Sequence, residues 1–146
     1  MATQPGVGAV QGILDASEAI DLDSYLPHVT EDVVIHPPGF VIGPNELLGH
    51  EGIRTGLATL REMLGAHRRL RMSDRHYFLD HADDSKVLVL IEITISSRRT
   101  AESFGTQGAM LCTLTGDRVS RIESYTTREA GLAQLQDPEE VFPNPR

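Results

Sequence analysis

The sequence has almost nothing with which to cross-link itself, span a bilayer or hold a polyanion. Among 146 residues there is a single cysteine, Cys112, which excludes an intramolecular disulfide. It lies in the apolar run AMLCTL, where no neighbour would stabilise a thiolate, so it reads as a small core residue rather than a nucleophile. The longest uncharged aliphatic run, VLVLI, is far too short for a membrane span. The first ten residues, MATQPGVGAV, carry neither a basic stretch nor an apolar leader, and the expected location is cytoplasmic. Thirteen Lys and Arg face 21 Asp and Glu, a formal charge of −8, which repels phosphate backbones and anionic lipid. Neither nucleic acid nor membrane is expected as a partner. Arg68, Arg69, Arg71 and Arg75, with Arg98 and Arg99, form a local basic cluster that reads as solvated strand edges and helix C-terminal charges. Metal and cofactor signatures are also missing. HYFLDH sets two histidines five apart, which suits neither a strand face nor a helix face, and GTQG precedes no helix. No cofactor and no metal are expected.

What is present is ordinary globular composition, 40% hydrophobic and 23% charged, in a chain long enough for one core and short for two. Residues 1–136 read as a single domain. Residues 137–146, with three prolines, read as an extended or disordered tail. Val7, Val10, Ile13, Leu14 and Ile20 recur at helical spacing over residues 7 to 20. DLDSYLPH gives a short second helix, with Asp21 or Asp23 as N-cap and Pro27 in or just past the first turn. Val33, Val34 and Ile35 begin a strand ended by Pro37, Pro38 and Gly39. Gly49 opens a third helix with the stripe Ile53, Leu57, Leu60, Leu64. Strands follow through residues 69–79, 87–96, Met110–Leu114 and VSRIESY, the last two joined by a tight turn on Gly116 and Asp117. In VLVLIEITIS the faces separate: Val87, Val89, Ile91, Ile93 and Ile95 on one, Leu88, Leu90, Glu92, Thr94 and Ser96 on the other. Thr126 with Glu129 fits a capping box for a final helix through Leu132 and Leu135. Helices gathered in front of hairpin-linked strands imply an α+β fold, with a curved sheet wrapped around helices and a cavity between them.

DLDSYLPHVTEDVVI, GHEGIR and GDRVSRIESYTTREAGL resemble the SnoaL-like branch of the NTF2-like superfamily over roughly residues 7 to 135. The resemblance implies a cone-shaped half-barrel in which a curved mixed sheet wraps three N-terminal helices, with a short C-terminal helix. It also implies a pocket for a small hydrophobic ligand and, commonly, a homodimer through the outer sheet face. Apolar residues on both sheet faces give the dimer an independent reason, because one face needs cover beyond the chain's own helices.

Members of this superfamily include cyclases, isomerases, epoxide hydrolases and dehydratases, whose catalytic patterns can be tested on this chain. The ketosteroid isomerase aspartate, at the end of the first strand before a proline, is matched by His36 before Pro37 only if a one-residue gap is allowed. Without the gap, the position falls on Pro37 and His36 turns away. The oxyanion donors of that enzyme would fall near Ile13 and Met110, which cannot donate to an enolate. The aspartate of limonene epoxide hydrolases falls on Ser124, and its partners near Ile91 and Ile93, so that reaction is excluded. Polyketide cyclases use an aspartate, and the last three strands offer only Glu92 and Glu123 as carboxylates. The catalytic candidates are therefore His36 as base, with Glu92 or Tyr125 to set its tautomer. Glu123, His76 and Met110 are candidates for substrate contact. Each also has a plain structural reading: solvated strand end, strand edge or core. The function expected is cofactor-free proton transfer on a small hydrophobic carbonyl or polycyclic compound, of the lyase, isomerase or cyclase type. A non-catalytic ligand-binding or protein-interaction module of the same fold is the alternative.

Overall fold

Leu88 and Val89 are sequence neighbours, both at 0% exposure, and they belong to different hydrophobic clusters. That happens only when a strand is covered on both faces, because successive side chains point to opposite sides. A computed structural model of the protein describes residues 5–37 and 46–143. Pro38 and Gly39, expected to end the first strand, lie outside the described residues, as does the end of the tail beyond 143.

The order of elements is α1 (Pro5–Ala19), α2 (Leu22–Tyr25), one 3-10 turn (Leu26–His28), β1 (Val29–His36), β2 (Leu47–Leu48), α3 (Gly49–Leu64), β3 (Arg68–Asp80), β4 (Asp83–Ser97), β5 (Ser103–Thr115), β6 (Arg118–Tyr125), α4 (Arg128–Leu132) and β7 (Pro138–Val141). The strands form one seven-stranded sheet in the order β2-β1-β6-β5-β4-β3-β7. Among the described residues its only parallel pair is β1 with β6; the other neighbours are antiparallel, and the sheet does not close. This is the mixed-sheet α+β half-barrel that the sequence implies.

The inner face is packed by α1 and α3. Val7, Val10, Ile13 and Leu14 of α1 are all at 0% exposure, and with Val87, Val89, Cys112 and Val119 they form one cluster. Full burial of each such side chain is worth about 1.5–3 kcal/mol relative to leaving it in water. The β5–β6 hairpin turns on Gly116, whose φ of 65° supplies the left-handed backbone that a type II′ turn needs at its first central residue.

The outer face has its own cover. Leu88, Leu90, Ala109 and Leu111 are sealed by Leu135, with Leu132, Phe78 and Tyr125 packed around them. α4 lies close enough that a Cβ on Gly131 would stand 2.6 Å from the Cβ of Ala109, so only glycine lets the helix settle there. Thr127, not Thr126, caps this helix, its hydroxyl accepting from the Ala130 N–H at 3.1 Å. The segment after α4 is pinned by Asp80, which is 2% exposed. Its carboxylate accepts from the N–H groups of Ala82, Gln136 and Asp137 at 3.0, 3.1 and 3.0 Å. Burial alone would raise the carboxyl pKa, but those backbone donors outweigh it and the net shift is downward.

The apolar outer residues Leu88, Leu90, Ala109 and Leu111 are covered by the chain's own α4 and Leu135. Pro138–Val141, within the segment expected to be a tail, is a sheet strand, with Tyr77 opposite Val141 and Asp80 opposite Pro138. Among the described residues no helix is long and apolar enough to cross a membrane.

Candidate functional site

A cavity of about 100 Å³ lies on the inner face, toward the sheet end where β1 and β6 finish and β3 and β5 begin. The stripe foreseen on α3 supplies one wall through Ile53, Leu57 and Leu60; Leu70 and Met72 of β3 and Met110 of β5 supply the opposite one. Ile35 of β1, Pro37 just beyond it, and Ile122 and Ser124 of β6 complete the rim side. An engineered apolar cavity of about 150 Å³ takes up benzene, so this volume suits one small ring or a short chain.

Among the described residues its polar side chains are three hydroxyls. Ser17 already donates to the Ile13 carbonyl within α1, at 2.8 Å. Tyr25 is 6% exposed, and its hydroxyl makes no hydrogen bond among the described residues. Burial pushes its pKa up, so it stays a neutral donor at any physiological pH. The Ser124 hydroxyl likewise has no hydrogen-bond partner among the described residues, and Ser124 lines the cavity from β6. Residues 38–45, which join Pro37 to Glu46, contain no acidic, basic or histidine side chain. The cavity can enclose an apolar body and donate to an oxygen on it. None of its described lining residues takes up a proton near neutral pH.

Of the residues singled out from sequence, Met110 lines the cavity, and the others stand on the opposite face. His36 is level with Glu123, and Glu123 with Leu111 of the outer cluster. Its Nε2 lies 3.2 Å from Arg121 Nη2 and 3.4 Å from Glu46 Oε2. This is the ungapped register, in which Ile35 and Pro37 turn inward and His36 turns out. Glu92 is exposed, opposite Gln107. Tyr125 packs against the outer cluster, where burial, then the nearby Glu123 carboxylate, raises its pKa. Glu123 accepts from Arg121 at 3.2 Å. His76 is level with Leu90 on the outer face, between Glu140 at 2.9 Å and Asp74 at 3.1 Å. His36, Glu123 and Tyr125 are thus neighbours, but on the wrong side of the sheet to reach the cavity.

Cys112 is wholly buried in the inner core, its thiol pKa pushed up to about 12 by burial, which leaves it without nucleophilic thiolate. Among the described residues no group of three His, Cys, Asp or Glu side chains is arranged to hold a metal ion.

A family model described as a SnoaL-like domain matches residues 10–122. The chain belongs to the SnoaL-like family. Among solved structures, it is similar to a protein from Xanthomonas campestris pv. campestris whose name proposes a polyketide cyclase, at 17% identity and a TM-score of 0.67, covering 91% of this chain and 98% of that one. TerC, co-crystallised with polyporic acid, is 21% identical, with a TM-score of 0.69 and coverage of 90% and 98%. An NTF2-like protein from Burkholderia xenovorans LB400 is 21% identical, with a TM-score of 0.65 and coverage of 94% and 99%. At these identities the likeness shows the fold. No curated protein matches the chain significantly.

Sequence reasoning did not select Tyr25 or Ser17. For Ser124 a signal existed, since the epoxide hydrolase pattern places an acid at that position and so marks it as pocket-facing. Tyr25 gave only its place in a short helix between two polar segments.

Proposed function

We propose that the chain binds a small molecule, enclosing an apolar body in the inner cavity and meeting an oxygen on it with the hydroxyls of Tyr25 and Ser124, without proton-transfer chemistry. One observation carries this reading: no described lining residue, and no residue from 38 to 45, can act as a base near neutral pH. Cyclase, isomerase or dehydratase chemistry needs a base within hydrogen-bond reach of the proton removed, and His36, Glu92 and Glu123 all face away from the cavity. A small-molecule occupant is in keeping with TerC, a protein of the same fold that was crystallised with polyporic acid. The reading requires no second copy of the chain, because the cavity is lined from one.

Phenol is a suitable probe, being one ring with one oxygen. Titration followed by NMR should move the methyl signals of Leu57 and Met110. Ser124→Leu, which fills the cavity, should abolish the shifts. Tyr25→Phe should weaken binding by roughly 5- to 10-fold, the usual worth of one hydrogen bond. Absence of binding to the native protein, or binding indifferent to Ser124→Leu, would overturn the reading.

A further inference from the structure

The strand ends around the cavity carry an unneutralised patch of positive charge. β3 enters the cavity wall at Leu70, two residues after Arg68. The turn between β4 and β5 is tied to the same corner, since the Arg98 N–H donates to the His67 carbonyl at 2.6 Å. Ser97 Oγ shapes that turn by accepting from the N–H groups of Arg99 and Thr100 at 3.1 and 3.2 Å. Arg68, Arg69, Arg98 and Arg99, four of the chain's thirteen cationic side chains, therefore share one corner, and all are exposed. Among the described residues the arginines in ion pairs are Arg54, Arg75, Arg121 and Arg128. Not one belongs to this corner. Glu102, the acid of the same turn, makes no ion pair among the described residues.

An aromatic side chain stands at the same rim. Phe104 is opposite Ile95, which is opposite Leu70 of the cavity wall. It thus lies on the inner face, and it is 59% exposed. From the cavity outward the inner face runs from Met110 past Gly108 and Thr106 to Phe104. It is apolar at depth and apolar again at the rim, with arginines beside it. In a chain of net charge −8, arginines that make no ion pair, at strand ends next to an apolar cavity, attract a small anion; Arg68 donates only to the Met63 carbonyl, at 3.3 Å, and a guanidinium holds a carboxylate with two parallel hydrogen bonds.

Resting on the reading of the cavity as a ligand site, we propose that the ligand is an amphipathic anion, whose apolar ring or chain fills the cavity and whose carboxylate is held at the rim by Arg68, Arg98 and Arg99, with Phe104 against the connecting chain. The test compares phenylbutanoate with phenylbutanol, which differ in the end group alone, by calorimetric titration of the full chain. At low salt the acid should bind about 10-fold tighter than the alcohol, a typical gain for a charge-assisted pair at a surface. The gap should shrink to about 3-fold or less in about 0.5 M NaCl, and likewise in the double variant Arg98→Ala, Arg99→Ala, with the alcohol's affinity unchanged. Equal affinities in the native protein overturn the proposal, as does a gap that survives in both the double variant and Arg68→Ala. In those cases the cavity reading stands, because the alcohol still binds. Failure of both probes to bind overturns the cavity reading and this proposal with it.

Discussion

The inner and outer faces of β4, β5 and β6 are built by alternate residues of the same three strands, and they differ in how much room they leave. On the outer side, Ala109 and Leu88 are pressed by α4 so closely that a single methyl on Gly131 has nowhere to go. On the inner side, Met110 and Ser124, one residue away from Ala109 and Tyr125, border about 100 Å³ of space. Charge follows the opposite rule: Glu92, Arg121, Glu123 and His36 are all outward, while the cavity holds hydroxyls. A face packed to contact resists added volume, and a face with a void accepts it. Room for added volume thus sits on the inner face of these strands, and Glu92, Arg121 and Glu123 on the outer one.

The largest effect is expected where the outer cover is anchored. Asp80→Ala leaves the N–H groups of Ala82, Gln136 and Asp137 without their acceptor, and should lower Tm by on the order of 5–10 °C by scanning calorimetry. The native carboxylate also gives an acid limb. Its folded pKa is depressed, so its contribution is complete above the unfolded value near 3.9 and is lost as pH falls through the lower folded value. Asp80→Asn should flatten the stability profile below about pH 4; an unchanged acid limb would remove Asp80 from this role.

The comparison of faces can be broken by adding volume to each in turn. Gly131→Val should cost about 1–3 kcal/mol in urea unfolding, as overpacking does in a filled core. Ser124→Leu, an increment of similar volume, should change stability by less than about 1 kcal/mol because the void receives it. Equal costs would mean that the two faces are equally packed and that the cavity is not open to a ligand.

How much of this was legible in advance depended on whether strand phase could be read. In β4 an unbroken alternation from Val87 to Ser96 assigns both faces correctly, because each side meets a different cluster. β1 ends at His36 in the run Ile35-His36-Pro37, where shifting by one residue exchanges the inward and outward side chains; two phases were open, and the pairing of His36 with Glu123 picks the outward one. In β3 the stretch SDRHYFLDH hides a bulge between Ser73 and His76, with Asp74 at a φ of 51°. The bulge lets Arg75 reach Asp15 and Glu18 on α1, at 2.8 and 3.2 Å, while His76 points outward. No periodicity announces an inserted residue. β2 and β7 are short edge strands of two and four residues, too brief for an alternation to register, and their existence depends on partners far away in the chain.

A finer test of the phase assignment is His36→Ala. Its imidazole lies between Arg121 and Glu46 on the outer surface, so the change should shift unfolding free energy by only tenths of a kcal/mol, the usual range for a surface site. Phenol affinity should be untouched. A loss of binding would place the imidazole in the cavity and reverse the assignment of β1.

The smallest expected effect belongs to His76, on the outer face where β3 meets β7. Both ring nitrogens face carboxylate oxygens, Nδ1 with Glu140 at 2.9 Å and Nε2 with Asp74 at 3.1 Å. A carboxylate only accepts, so both contacts are satisfied by the doubly protonated ring. The hydrogen bond to Glu140, then that to Asp74, raises the folded pKa above its ordinary value. The contribution is therefore complete below the unfolded pKa near 6.5 and is lost as pH rises through the folded value. The site is more than a third exposed, at 38% for His76 and 54% for Asp74, so solvent and salt screen the gain. Arg128 on α4, 3.4 Å from Asp74, partly satisfies that carboxylate whatever the ring's charge. Since Glu140 belongs to β7, the loss should appear as faster exchange of the β7 amides and a fall in Tm of about 1 °C between roughly pH 6 and 8. His76→Gln should remove that pH dependence while leaving the acid limb set by Asp80 in place. An identical slope in the variant would mean that β7 is held by its backbone pairing to β3 and by Asp80, with no help from the charge on the ring.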